Sequence, residues 1–101
     1  MPTGFDDHKT ATWREMQRIP GVGPSLARDL VDLGFERIID LADADPMEMY
    51  KELQELRGYA IDRCVLYVFR CAVYYAREDR PDPELLKWWN WKDRKVDPKN
   101  W

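Results

Sequence analysis

The stretch "IPGVGPSLARDL", Ile19 to Leu30, sets two glycines one residue apart and follows them with a serine and an arginine. Those groups suit an oxyanion. Glycine takes positive φ and lets a ligand come close to the backbone. A helix that begins just after such a turn offers first-turn amides without helical partners and the positive end of its dipole. A phosphate fits there. The groups that would hold it are the amides of Gly21, Val22 and Gly23, assisted by the Ser25 hydroxyl and the Arg28 guanidinium. Phosphates carry no base identity, so such contact is independent of nucleic-acid sequence. The plainer alternative is a joint between two helices, and the acids Asp29 and Asp32 beside Arg28 favour it.

A second set lies further along. Arg63, Tyr67, Arg70, Tyr74 and Arg77 recur at spacings of four, three, four and three, which is one stripe of a helix. An exposed stripe of this kind can follow a phosphate backbone while its rings stack on bases. The alternative is a solvated face whose arginines pair with the acids of residues 36–56. Cys64 and Cys71 are seven apart. On a helix that is about two turns, ~10 Å, too far for a disulfide. Both are expected in the core as reduced thiols. His8 stands alone in the N-terminal segment. Asp45 and Glu48 read as helix-capping groups, and with Asp43 they form no ordered loop of oxygen ligands, so no metal site is expected. No serine or cysteine has a base nearby in sequence, and no catalytic residue is assigned. The expectation is a protein that is not an enzyme.

The elements that must hold these groups read as helices throughout. Residues 1–11 are expected to be disordered. Thr12-Trp13-Arg14-Glu15 fits a capping box and predicts the start of the first helix at Thr12. Pro20 to Gly23 breaks it. Pro24 suits a first helical position, and Leu26, Ala27, Leu30, Val31 and Leu33 give the second helix a buried face, with Gly34 as its stop. A short helix is expected over about 36–42, with Ile38, Ile39 and Leu41 inward. Asp45-Pro46-Met47-Glu48 starts another, which Gly58 ends. Residues 61–77 are apolar nearly all round, as the central helix of a bundle is. Asp82-Pro83 opens a last helix to about Lys92 that carries Leu85, Leu86, Trp88, Trp89 and Trp91 and serves as a lid. The alternative use of those tryptophans is a partner interface. No alternating run argues for a strand. The expectation is all-α: a core of about five short helices with a C-terminal helical lid, a domain over 12–93 and a flexible tail over 94–101.

Composition bounds what such a domain can do. The chain has 101 residues, enough for one domain, and 45% of them are hydrophobic, enough for a core. No apolar run is long enough to span a membrane, and "MPTGFDDHKT" carries no secretory leader, so a cytoplasmic location is expected. Net charge is −3, which counts against a dedicated nucleic-acid binder. The acid is concentrated, however. Residues 36–56 carry seven acidic and two basic groups, whereas residues 57–80 carry three and five.

Ile19, Pro20, Gly21, Val22 and Gly23, with Ala27 and Leu30 at helical offsets, match the helix-hairpin-helix pattern. The stretches "IPGVGPSLARDLVDLGF", "DPMEMYKELQ", "DRCVLYVFRCAVYYA" and "LLKWWNWKD" extend the likeness. Over about residues 16–93 the sequence resembles the small bacterial proteins of the pathogenicity locus family. The resemblance implies a helix-hairpin-helix (SAM-like) core and DNA binding inferred from that motif, with DNA repair or uptake as the processes it would serve. Some members carry a mitomycin-resistance label. It also implies that hairpin carbonyls can hold a monovalent cation, with no other cofactor. The segment "GFERIIDLADADPMEMY" resembles a degenerate second hairpin that has lost its glycine pair. The leading expectation is therefore weak, sequence-independent DNA binding at Gly21, Val22, Gly23, Ser25 and Arg28. The rival is a protein-interaction or self-association module that uses the aromatic C-terminal half, with the hairpin as a joint.

Overall fold

The computed structural model describes residues 7–94, and every regular element within them is helical. The expectations placed on residues 1–6 and 95–101, Trp101 among them, lie outside that range. Four α-helices follow in order: α1 (Asp7–Met16), α2 (Pro24–Asp32), α3 (Pro46–Arg57) and α4 (Arg63–Arg77). Three 3-10 helices complete the set: Ile38–Asp43 between α2 and α3, then Pro83–Leu86 and Trp88–Trp91 as the C-terminal lid.

Helix α4 is the centre. Its residues 66 and 68–74 are all buried, so apolar contact surrounds it, as its sequence requires. Ile38–Asp43, α3 and both lid helices pack against it, while α1 packs on α2. One core joins them, with Met16, Leu30, Leu41, Leu53, Leu66, Phe69 and Trp91 almost wholly removed from solvent. Each such side chain contributes roughly 1.5–3 kcal/mol by burial.

The helix ends follow their sequence signals. Gly34 takes φ +98° just after α2. Its amide donates to the Val31 carbonyl at 3.0 Å and Phe35 donates to Leu30 at 3.2 Å, the paired bonds of a Schellman stop. Asp45 caps α3 by accepting from the amides of Met47 and Glu48 at 2.9 and 3.4 Å. Gly58 ends α3 at φ +79°. Asp62 caps α4 through the Cys64 amide, so α4 begins at Arg63 rather than at Ile61 as periodicity suggests.

Four expectations are corrected. Helix α1 starts at Asp7, five residues ahead of Thr12. Thr12 is a mid-helix residue: its hydroxyl lies 3.2 Å from the His8 carbonyl, the back-bond typical of threonine inside a helix, and 2.9 Å from the Glu36 carbonyl. Glu15 does not return to Thr12. It accepts from Arg37 Nε at 3.2 Å and from the Ile38 amide at 2.7 Å, tying α1 to the 38–43 helix. Ile39 points outward at 65% exposure: in a 3-10 helix residues three apart share a face, so Ile38 and Leu41 turn inward together and Ile39 lies a third of a turn away. Cys64 is exposed while Cys71 is buried. The two share a stripe, but Cys64 sits in the first turn of α4, ahead of the stretch that its neighbours cover. Lastly, the lid is two 3-10 turns rather than one α-helix, with a break at Lys87.

Candidate functional site

The turn between α1 and α2 is built from three interactions. The Val22 amide donates to the Ile19 carbonyl at 3.0 Å and closes the reversal. Gly21 takes φ +87°, the left-handed region that favours glycine. Trp13 of α1 donates its indole N–H to the Pro24 carbonyl at 3.0 Å and fixes the start of α2 against α1. Val22 is itself buried, and Ala27 is wholly buried one turn into α2.

This geometry divides the five residues expected to meet a phosphate. The Val22 amide is committed to the turn. Gly21 is overlaid by the lid: a Cβ there would lie 3.1 Å from Cδ1 of Trp88. Gly23 is open, with nothing within 4 Å of its Cβ position. It is the N-cap of α2, in extended conformation, with no side chain capping the helix. The first helical bond runs from the Ala27 amide to the Gly23 carbonyl at 2.9 Å. The amides of Ser25 and Leu26 precede it, and helical bonding leaves such first-turn donors to outside acceptors. The Ser25 side chain is exposed, as is Arg28, whose Nε lies 3.5 Å from Asp32. Of the turn's carbonyls, those of Ile19 and Gly23 already accept amide bonds.

The acids beside Arg28 have a partner that the sequence does not advertise. Arg57, the last residue of α3, donates to Asp29 at 2.6 Å and to Asp32 at 2.8 Å. These bonds raise its pKa further above the usual guanidinium value, the Asp29 bond most. The two acids thus have their charge offset across the α2–α3 contact. Nothing local to residue 57 marks it for this role, because the two pairings span 28 and 25 residues and depend on how α3 lies against α2. An open groove of about 510 Å³ runs from here, lined by Ser25, Arg28 and Asp29 of α2, by Arg57 and Tyr59, and by Asp62 and Val65 at the start of α4. A second hollow of about 470 Å³, on the α1 side, is lined by Thr10, Trp13, Pro24, Ser25 and Arg28. Ser25 and Arg28 form the ridge between the two.

The arginine-tyrosine stripe is not one surface. Arg63 is exposed and Tyr67 half-buried, but Arg70 is only 5% exposed and Tyr74 only 7%. Arg70 donates to the carbonyls of Trp91 and Lys92 at 2.8 and 3.3 Å. Burial lowers its pKa, and the nearby Arg63 charge acts in the same direction. Tyr74 packs its ring 5.3 Å from that of Trp91 and accepts the Asp82 amide at its hydroxyl. Arg77 donates to the Ala42 carbonyl at 2.6 Å. The lid and the 38–43 helix therefore cover the far half of the stripe. Among the described residues no group of His, Cys, Asp and Glu could hold a metal ion, and no helix is long and apolar enough to cross a membrane.

The model of the pathogenicity locus family matches residues 9–96. The chain belongs to that family. It is also similar to the mitomycin resistance protein McrB of Streptomyces lavendulae, with 30% identity over 77 residues, 76% of this chain and 70% of the relative. No solved structure matches it. The family match takes in all four helices save the first residues of α1, so the turn, the groove and the lid all lie within it.

Proposed function

We propose that this family member binds the phosphodiester backbone of DNA, weakly and without sequence preference, at the start of α2. The α1–turn–α2 unit is read as a helix-hairpin-helix whose anion contacts are the Ser25 and Leu26 amides, the Ser25 hydroxyl and Arg28. The observation that carries this reading is the open, uncapped helix start at Gly23. Glycine is a common N-cap, and here it leaves the amides of the first turn with no side-chain acceptor and open to an outside one. Arg57 supports the reading by offsetting the charge of Asp29 and Asp32, which lie beside Ser25 and Arg28. The site differs from the expected one in its amides: Val22 and Gly21 serve the turn and the lid, and the Ser25 and Leu26 amides, just past Gly23, take the place of those of Gly21, Val22 and Gly23. The free thiols accord with a reducing, cytoplasmic setting.

One or two phosphate contacts place the affinity at the weak end of non-specific binding, ~10⁻⁴ M at physiological salt. Titration of a labelled duplex and a labelled single strand, followed by fluorescence anisotropy, tests this. Binding at low salt with a log–log salt slope of about −1 to −2 is expected. Absence of binding at low salt refutes it. The self-association reading keeps less of its surface. Trp91 is buried, Trp88 lies on Gly21, and of the three lid tryptophans Trp89 is the exposed one, at 57%.

A further inference from the structure

Several of the cations among the described residues are already paired. Arg28, Arg37, Lys51, Arg57 and Lys87 each lie within 4.0 Å of a carboxylate. Others, Arg14, Arg18, Arg80 and Arg94 among them, are not, and three further unpaired cations lie close to one another. Among the described residues, Arg63, Arg70 and Lys92 form no ion pair. They are also together. Arg63 and Arg70 are two turns apart on one face of α4. The Arg70 guanidinium lies 5.6 Å from the centroid of the Tyr67 ring, which sits between them in sequence. Arg70 Nη1 donates to the Lys92 carbonyl at 3.3 Å, so the end of the lid lies on this face of α4. The field of the Lys92 charge reaches the Cys64 thiol, beside Arg63, and the Arg63 charge reaches Arg70. Asp62, the adjoining acid, accepts the Cys64 amide at 2.8 Å.

Bringing three like charges together costs energy unless an anion offsets them, and burial of Arg70 weakens solvent screening of its charge. Arg70 is explained by the carbonyls it holds. Arg63 and Lys92 have no such structural duty and are both exposed. Their position is informative. The start of α4, through Asp62 and Val65, lines the same groove as Ser25 and Arg28. Arg63 and Lys92 are not among the groove's lining residues, but Arg63 follows Asp62 directly, so an anion of extended, repeating charge can reach from Ser25 and Arg28 past the groove to this face, whereas a single phosphate cannot.

We propose that Arg63 and Lys92, set over the buried Arg70, form a second phosphate-binding patch that takes a further phosphodiester of a nucleic-acid strand crossing the groove from the start of α2. This rests on the proposed function in its choice of ligand, but its residues are separate and are tested separately. The experiment is an amide-resolved NMR titration of the whole chain at low salt with short oligothymidylate. It is repeated with Arg63→Gln/Lys92→Gln and with poly-glutamate of similar length. Shifts at both Gly23–Arg28 and Arg63–Lys92 are expected, with affinity about tenfold lower in the double variant and a shallower salt slope. Both substitutions are on exposed side chains, and an unchanged amide spectrum in the free protein checks that the fold is kept. Shifts confined to Gly23–Arg28, with the double variant binding as the parent does, overturn the patch and leave the first site. Shifts confined to Arg63–Lys92 overturn the first site and leave the patch. No shifts overturn both. Equal affinity for poly-glutamate overturns the assignment to a nucleic acid.

Discussion

Gly21 and Gly23 look alike in the sequence and do different work. Gly21 combines a left-handed backbone with Trp88 at van der Waals distance. Gly21→Ala therefore strains the backbone and displaces the lid, and should cost about 2 kcal/mol in chemical denaturation. Gly23 has an ordinary φ of −94° and open space, so Gly23→Ala should fold with a change within roughly 0.5 kcal/mol. The cysteines separate in the same way. Burial pushes the Cys71 thiol up to about 11 from 9.0. Below pH 9 it adds no pH dependence to stability. Above that the unfolded chain releases the thiol proton while the native chain keeps it, so stability falls between pH 9 and about 11, by up to roughly 2 kcal/mol. Denaturant midpoints measured across that window, with Cys71→Ala as the comparison, check this: the variant should lose that part of the decline. Cys64 is exposed, and its bond to Asp62 raises its pKa. In the native protein a disulfide reagent should modify Cys64, and Cys71 only on unfolding.

Among the elements, the lid explains most of what periodicity missed. Arg63 to Arg77 reads as a clean cation-aromatic stripe, and the spacing is real. Whether such a stripe faces water depends on chain that arrives from elsewhere, here Pro83–Trp91. Burial of Arg70 is satisfied by the Trp91 and Lys92 carbonyls, a pairing that local sequence cannot reveal. Arg70→Met should remove a charge-assisted anchor and cost about 2 kcal/mol, with faster amide exchange concentrated in residues 83–92. Uniform loss of protection would contradict this role. The helix boundaries were legible where a local signal exists: Pro24, Gly34, Asp45 and Gly58 each act where they are read. Thr12 misled because its capping-box neighbour Glu15 finds Arg37 and Ile38, which are distant in sequence. Three-dimensional partners outcompeted the local one.

For the whole molecule, a net charge of −3 sits poorly with a polyanion partner, and the distribution of pairs resolves part of that tension. The acids of α2 are held by Arg57, while Arg63, next to the groove-lining Asp62, and Lys92 stay unpaired. All-helical architecture, a central α4 and a covering lid were readable from apolar periodicity, because they depend on which residues must leave water. The composition of the site was not, because ion pairing and lid placement are set by tertiary geometry. Gly23→Asp tests the proposed phosphate contact most directly. Asp at this N-cap can accept from the Ser25 and Leu26 amides and complements the helix dipole, so it should stabilise the fold by about 0.5 kcal/mol. The same carboxylate occupies the phosphate position and repels it. The prediction is a raised Tm together with at least about a tenfold loss of oligonucleotide affinity at low salt. A raised Tm with unchanged affinity would show that the start of α2 is a joint and not the binding site.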